Sequence, residues 1–365
     1  MKAQDLAVEK ADLYTEAEST WTQLLTDISQ SKHSVLFENY IWNEGDASDA
    51  LIAALTTAKN NGATIEITID AVGSFGASSE FIDSLNSLAA LHVYNRPRFN
   101  LLSRATTSIM WRTHRRIVVC DNKCSWVGGL AIDDFWWYKN ELPCRETMLR
   151  LTGDISRQLA DKFRGLSKKT PASTNLSLQP LKNNMLRVCN FGPLRRPTFL
   201  RLLLRRIGQS QQKICIATAY FIPPLKLRRA LIEARKRGVS VHLQLPSAKL
   251  HDHPMVRMAA RRHYAKLLEH GVNIYEYTTA FQHSKTALFD DSDCLIGSPN
   301  IDRWSFSRNH ELLIESTSQE LCQQLCESFD KDMRSSVQID PQLWKLRSFK
   351  TRLQENFAGI FDPIF

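Results

Sequence analysis

Long apolar runs are missing from this 365-residue chain. No stretch approaches the roughly 18–20 consecutive apolar residues that span a bilayer. Met1–Thr20 is acidic and polar, with no apolar core of the signal-peptide kind. The expectation is a chain that does not cross a membrane and stays in the cytoplasm. Cysteine is present but unorganised. The eight residues are scattered from Cys120 to Cys326, and no histidine pair completes a zinc pattern around the two CxxxC spacings, Cys120/Cys124 and Cys322/Cys326. They read as reduced thiols that help fill the core. No ligand cluster implies a metal, and no other cofactor is expected. With 43% apolar and 23% charged residues, the disordered and fibrous classes drop out as well.

Positive charge is what the chain has in excess. The formal charge is +9, and the basic residues cluster, as in Arg195-Arg196 with Arg201 and Arg205-Arg206, Arg235-Lys236-Arg237 and Arg261-Arg262. Such a field attracts phosphate backbones and anionic lipid surfaces alike. A set of solvated helix faces has the same composition, and charge alone does not choose.

The order of residues says more, because one unit occurs twice. Val35–Tyr40 and Ile214–Tyr220 are apolar strands ending in tyrosine. Each is followed by an amphipathic helix that stops at a glycine, Gly62 or Gly238, and then by an alternating strand beginning at Ile65 or Val241. Strand, helix, strand, repeated at constant offset, predicts two α/β lobes on the same plan. The Ser/Thr/Pro/Asn-rich segment after Lys168 reads as a linker. The division is a first lobe over 1–167, a linker over 168–185 and a second lobe over 186–365.

Each lobe carries a histidine followed at fixed spacing by a cation and an aspartate. The first has His114, Arg116 and Asp121, with Gly128-Gly129 beyond; the second has His283, Lys285 and Asp290, with Gly297-Ser298-Pro299-Asn300 at the same distance. One such spacing arises often by chance. Two copies in matching places of an internal repeat do not. On a strand, positions i and i+2 share a face, so each histidine and its cation can look into one cleft. Histidine serves as nucleophile or as acid and base near neutral pH. The cations neutralise phosphoryl oxygens as charge develops. Gly-Ser-x-Asn lets backbone come close to a phosphate and adds donors. The pattern points to phosphodiester chemistry in one cleft lined by both histidines.

With its two HxK/RxxxxD motifs and their GG/GSxN sequels, the chain resembles the phospholipase D superfamily over nearly its whole length. Within it, the resemblance narrows toward bacterial cardiolipin synthases through Ala219-Tyr220-Phe221-Ile222-Pro223, the run from His253 to Tyr264, Gly271–Tyr277, Ser298–Glu311 and Glu355–Pro363. It implies an α/β fold of two similar lobes related by a pseudo-twofold repeat, each a mixed sheet flanked by helices. It implies His114 as the nucleophile that forms a phosphohistidine and His283 as acid and base. Arg116, Asp121, Lys285 and Asp290 complete the motifs, while Gly129, Ser298, Asn300, Glu146, Glu311 and Tyr220 bind substrate or support the histidines. Two positions depart from the family pattern. Arg116 replaces the usual lysine with a larger, forked cation, and Ala131 stands where asparagine is common.

The activity implied is transfer of a phosphatidyl group from phosphatidylglycerol to a second phospholipid or alcohol, without a metal, at the cytoplasmic face of an anionic membrane. Hydrolysis of phospholipid or nucleic acid is the second reading; small nucleases of the superfamily usually carry one motif per chain. Membrane attachment without a spanning helix needs apolar and basic surface. Phe135-Trp136-Trp137-Tyr138 is read either as an interfacial wedge or as a buried cluster, and Pro197–Ile207 and Phe349–Phe365 as segments that lie on lipid or pack between lobes. Oligomeric state is left open.

Overall fold

A computed structural model of the protein describes residues 5–7, 9–97, 111–141, 144–167, 179–193, 197–247, 250 and 252–361. Residues 168–178 of the expected linker, Arg195-Arg196 and the last four residues lie outside them.

The strands are β1 (Leu6–Ala7), β2 (Lys10–Tyr14), β3 (Ser34–Asn39), β4 (Thr64–Asp70), β5 (Ala90–Tyr94), β6 (Ile117–Cys120), β7 (Cys124–Gly128) and β8 (Met148–Thr152) in the first part of the chain. The second part holds β9 (Met185–Phe191), β10 (Lys213–Ala217), β11 (Ser240–Pro246), β12 (Asn273–Tyr277), β13 (Thr286–Phe289), β14 (Asp293–Gly297), β15 (Glu311–Ser316) and β16 (Ser336–Gln338). Among the described residues they form two sheets, ordered β2-β8-β7-β6-β3-β4-β5 and β1-β9-β15-β14-β13-β10-β11-β12-β16. All seven strands of the first sheet have counterparts in the same order in the second, β2-β8-β7-β6-β3-β4-β5 matching β9-β15-β14-β13-β10-β11-β12. In each, three parallel strands (β3, β4, β5; β10, β11, β12) meet an antiparallel hairpin on one side. The repeat seen in the sequence is therefore a repeat of topology. Leu6–Ala7, expected in the first lobe, pairs instead with β9 of the second sheet.

Each parallel crossover is made by an amphipathic helix, as connection geometry requires. The helices are α1 (Ala17–Ser29), α2 (Asp46–Asn60), α3 (Ser79–Leu88), α4 (Asp154–Ser167), α5 (Thr198–Gln209), α6 (Leu225–Lys236), α7 (Pro254–Arg261), α8 (Tyr264–Glu269), α9 (Arg303–Ser307), α10 (Gln319–Arg334), α11 (Pro341–Lys345) and α12 (Phe349–Ala358). Side-chain oxygens of Ser78, Asp302, Ser318, Asp340 and Ser348 cap helix starts. At α2 the cap comes from elsewhere. Gly45, at φ +145°, brings the backbone against Asp134, whose carboxylate accepts from Ala47 N–H. A β-carbon on Gly45 would collide with that carboxylate.

The two sheets share one apolar layer. Leu36, Ile117, Val119, Val127 and Leu149 of the first sheet pack with Cys215, Ala217, Leu288, Ile296 and Leu312 of the second, and α4 and α10 insert Leu159, Phe163, Leu325 and Phe329. Each fully buried aliphatic or aromatic side chain contributes about 1.5–3 kcal/mol. The lobes are thus held as one core, and groups at their junction keep a fixed geometry. All eight cysteines are free thiols, and six of them are buried. No helix among the described residues is long and apolar enough to cross a membrane.

Candidate active site

His114–Arg116 and His283–Lys285 do not lie within strands, as the i, i+2 reading expects, but just ahead of β6 and β13. Each segment is held by the opposite lobe through a short parallel bridge. Thr113 pairs with His310 and Arg145 with Gln282. His114 N–H donates to His310 O at 2.9 Å, and His283 N–H donates to Arg145 O at 2.8 Å. The two histidines consequently line one cavity of about 300 Å³, with Tyr40, Arg112, Arg116, Trp136, Tyr220, Asp252, Asn300, Asp302 and Asn309 among its walls.

The carboxylate partners cross between lobes in the same way. His114 Nδ1 lies 2.9 and 3.0 Å from the two oxygens of Glu311. His283 Nδ1 is hydrogen-bonded to Glu146. Each lobe's histidine is oriented by the other lobe's glutamate, so neither half-site is complete alone. A carboxylate on Nδ1 fixes the tautomer that carries its proton there and leaves the Nε2 lone pair for chemistry. The two Nε2 atoms differ. Lys285 Nζ sits 2.9 Å from that of His283, whereas His114 Nε2 has no hydrogen bond among the described residues.

Charge in the pocket is tuned by burial. Burial, then Arg116, brings the His114 pKa down to about 4. Burial and Lys285 lower that of His283. Both imidazoles are neutral at physiological pH. Burial, with Arg116 nearby, also lowers Lys285 to about 8, against the opposing pull of Glu146. Burial tends to raise the two glutamates, but their histidines, the cations Lys285 and Arg116 and the hydrogen bonds from Thr147 N–H and Ser298 together hold both below the ordinary range. Asp302 is raised by burial to about 6. The product is a pocket in which two neutral imidazoles and the Arg116 guanidinium face Asp252 and Asp302, with Lys285 behind His283, a set that can receive an anionic phosphodiester at its cations.

The glycine pairs have separate jobs. A β-carbon on Gly128 or Gly297 would strike the carbonyl of Thr147 or Leu312 on the neighbouring segment, so close strand approach demands glycine at both. One residue on, a β-carbon at Gly129 would lie 2.6 Å from a Glu146 oxygen. Its counterpart Ser298 donates its hydroxyl to Glu311, which also accepts from Ser305 Oγ at 2.8 Å. Asn300 is buried at the pocket wall, and Ala131 occupies the matching place in the first lobe. Tyr40 and Tyr220, expected to end the two repeated strands, lie one and three residues beyond β3 and β10, and both line the cavity. Arg116 lies 5.6 Å from the centre of the Tyr40 ring and donates to His114 O.

Asp121 and Asp290 stay outside this pocket. Both adopt left-handed backbone, φ 53° and 50°, at the far turns of the β6–β7 and β13–β14 hairpins. Asp121 accepts from the N–H groups of Lys32, His33 and Ser34, and Asp290 from those of Gln211, Gln212 and Lys213. They clamp the start of the adjacent strand and touch no reacting group.

The aromatic run after the first motif is core, not a wedge. Trp136 and Trp137 are 7% and 5% exposed. Trp136 turns its edge to His283 with ring centres 5.2 Å apart, and its carbonyl accepts from Trp21 Nε1. Their emission should therefore stay unchanged on adding lipid vesicles; a blue shift that disappears in Trp136→Phe/Trp137→Phe protein would show the run to be exposed. Pro197–Ile207 likewise packs inward through Phe199, Leu202, Leu203 and Ile207, with Arg206 paired to buried Glu315. Sequence reasoning missed Arg112, held by Asp70 at 3.1 Å, and the acids Asp252 and Asp302. Only Asp302, three residues before Ser305 in a helix-capping pattern, carried a local signal.

The family model described as cardiolipin synthase, PLD-like domain, matches residues 203–333. The chain is 30% identical to cardiolipin synthase B of Escherichia coli K12 over 313 residues, 83% of this chain and 75% of that one. It is 27% identical to cardiolipin synthase A of Buchnera aphidicola across 93% of this chain and 72% of the other. The phosphatidylserine synthase of Haemophilus influenzae shares the fold, with TM-score 0.76 at 14% identity over 99% of this chain and 95% of that one. The chain belongs to the cardiolipin synthase family of the phospholipase D superfamily.

Proposed function

We propose that the protein is a phosphatidyltransferase that moves the phosphatidyl group of phosphatidylglycerol to the free hydroxyl of a second phosphatidylglycerol, releasing glycerol and forming cardiolipin. One observation carries this reading: two neutral histidines, each oriented by a glutamate of the opposite lobe, face a single cavity that Arg116 also lines. In the first step His114 Nε2 attacks phosphorus, a P–N bond forms and the P–O bond to glycerol breaks. The leaving oxygen takes a proton from His283. In the second step His283 removes the proton of the incoming hydroxyl, whose oxygen displaces His114. No net proton is gained or lost. His114 is assigned as nucleophile because its Nε2 is unencumbered, while that of His283 already contacts Lys285.

A resting imidazole must be protonated to serve as the acid. An anionic phosphodiester about 4 Å away contributes about 4 kcal/mol at an effective dielectric constant of 20. It acts against the burial and the Lys285 charge that lower the His283 pKa, so substrate binding favours the acid form. Arg116 and Lys285 then neutralise the phosphoryl oxygens, and Asn300 adds a donor. Arg116 retains the charge of the family lysine, and with Ala131 opposite Asn300 the first half-site offers fewer side-chain donors. Glu146 and Glu311 position the histidines; Gly129, Ser298 and Tyr220 shape the wall. Asp121 and Asp290 act through the fold.

The pH profile is set by His114 and Lys285, with His283, lowered by burial and by Lys285, adding a shallower fall in kcat/KM that sets in at lower pH because it must be protonated as the acid. His114 must be unprotonated to attack, so kcat/KM rises as pH climbs through about 4. Lys285 must be charged, so kcat/KM falls as pH passes about 8. Lys285→Arg should keep some activity and move the alkaline limb upward, measured with a soluble short-chain phosphatidylglycerol. An alkaline limb that does not move would remove Lys285 from the scheme.

At about 300 Å³ the cavity is of headgroup size, which favours work on lipid that remains in a bilayer. Attachment is peripheral, at the cytoplasmic face of an anionic membrane. The reading is tested by mass spectrometry of lipids after incubation with phosphatidylglycerol vesicles, with ethanolamine lipids, glycerol and water offered as competing acceptors. Cardiolipin with one glycerol released per transfer is expected. Phosphatidic acid as sole product, or cleavage of single-stranded DNA in preference to lipid, would replace transfer by hydrolysis.

A further inference from the structure

Helix α12 is built inside out. Its inward face holds Glu355, Ala358 and Gly359, all buried. Glu355 is the only carboxylate from Pro341 to Ile360, and it is paired with Arg347 at 2.6 Å and Arg261 at 3.2 Å. Gly359 approaches Arg262 so closely that a β-carbon would lie 2.3 Å from its guanidinium. The large apolar side chains point the other way. Phe349, Leu353 and Ile360 are 73%, 57% and 67% exposed, and Phe357 shares their stripe at 60%. Spacings of i, i+4, i+8 and i+11 put them on one face of the helix. Leu343 and Leu346 of the preceding segment are exposed too. A soluble helix normally does the reverse, and a contiguous apolar patch of this kind marks an interaction surface.

The segment is a docked element and not a loose tail. Trp344 is buried between the guanidinium groups of Arg261 and Arg347, at 4.5 and 3.4 Å, and stacks on Tyr264. α12 packs on α7 through Ala358, Ala259 and Val256. His253 and Val256, at the start of α7, line the active-site cavity, so one short helix carries both the cavity wall and the seat of α12. Met255, exposed next to Val256 at the start of α7, adds an apolar side chain beside the cavity wall.

We propose that this face, α11–α12 with Met255, is the membrane-docking surface of the protein, seated on an anionic bilayer so that the cavity opens toward the lipid headgroups. Charge selects a bilayer over other occupants. Every exposed charged side chain of α11 and α12 is a cation, Lys345, Lys350 and Arg352, and Lys350 and Arg352 flank the stripe on opposite sides. An apolar stripe bordered by cations has the complement of an anionic lipid interface: hydrocarbon beneath, phosphate at the rim. The inference rests on the lipid-substrate reading for its purpose but not for its test.

The test measures co-sedimentation of the full chain with vesicles of phosphatidylcholine doped with phosphatidic acid, which offers no headgroup to transfer. Turnover is followed separately on monomeric short-chain phosphatidylglycerol. Replacing Phe349, Leu353 and Ile360 together by serine should weaken vesicle binding by roughly tenfold or more and leave turnover of the soluble substrate unchanged. Lys345→Glu/Lys350→Glu/Arg352→Glu, which keeps the apolar stripe, should weaken binding mainly at low salt. Unaltered binding of both variants, or no binding by the parent protein, would overturn the proposal. So would a serine variant that turns a dimer into a monomer with vesicle binding intact, since the stripe would then join two copies. If the parent docks through this face but transfers no phosphatidyl group, the docking surface stands and the proposed activity falls.

Discussion

His114→Ala should lower phosphatidyl transfer by about 10⁴-fold or more and abolish any covalent intermediate. Nothing in the pocket replaces it. His283 already shares its Nε2 with Lys285, and its ring is fixed by Glu146 and by the edge of Trp136. His283→Ala should be as damaging with phosphatidylglycerol, whose glycerol oxygen leaves poorly without a proton. With a nitrophenyl phosphodiester the leaving group needs no acid, so this variant should still release nitrophenol in a burst and then stall. His114→Ala should give no burst with either substrate. A burst from His114→Ala and none from His283→Ala would exchange the two roles.

Replacing one cross-lobe carboxylate should cost nearly as much. Glu311→Gln is isosteric, yet it removes the charge that faces His114 Nδ1 and accepts from Ser298 and Ser305. An amide at that place also presents an N–H that disfavours the reactive tautomer. The comparable change in a serine protease triad costs about 10⁴ in kcat, and a loss of about 10²–10⁴ is expected here with little change in KM. Because Glu311 serves His114 and Glu146 serves His283, the variants should separate by step. Glu311→Gln slows formation of the phosphohistidine, whereas Glu146→Gln slows its formation only with poor leaving groups and always slows its discharge. Rapid-quench kinetics on the nitrophenyl ester distinguishes them. Identical step profiles would mean that the cross-lobe pairing is structural only.

That pairing also marks where sequence reasoning stopped. The duplicated strand–helix–strand units were readable because helix stops, alternating strands and terminal tyrosines are local features, and they recur as two sheets with seven strands in the same order. Glu146 and Glu311 were candidates only through family resemblance. Which histidine each would serve depends on how the lobes close against each other, and no spacing within one lobe contains that information. The motif aspartates show the opposite failure. Adjacency to His114 and His283 along the chain suggested chemistry, but a four-residue strand carries Asp121 and Asp290 to the far turns, where carboxylates bind backbone amides. The Phe135–Tyr138 run had the composition of an interfacial wedge and of a core cluster equally, and only packing against Trp21 and His283 separates them. At the C-terminal end, the sequence of α12 has an ordinary helical stripe. Its exposure became visible only when the inward face turned out to belong to Glu355, Ala358 and Gly359.

The central claim is a phosphatidyl group carried on His114 in a site assembled from both lobes. It is met most directly by mapping the covalent intermediate. His283→Ala protein is mixed with the nitrophenyl phosphodiester, quenched in alkali to preserve phosphohistidine, digested and analysed by mass spectrometry. The modified group should be His114, in a yield that tracks the nitrophenol burst. Modification of parent protein at His283, or a burst with no phosphorylated peptide, would contradict the mechanism.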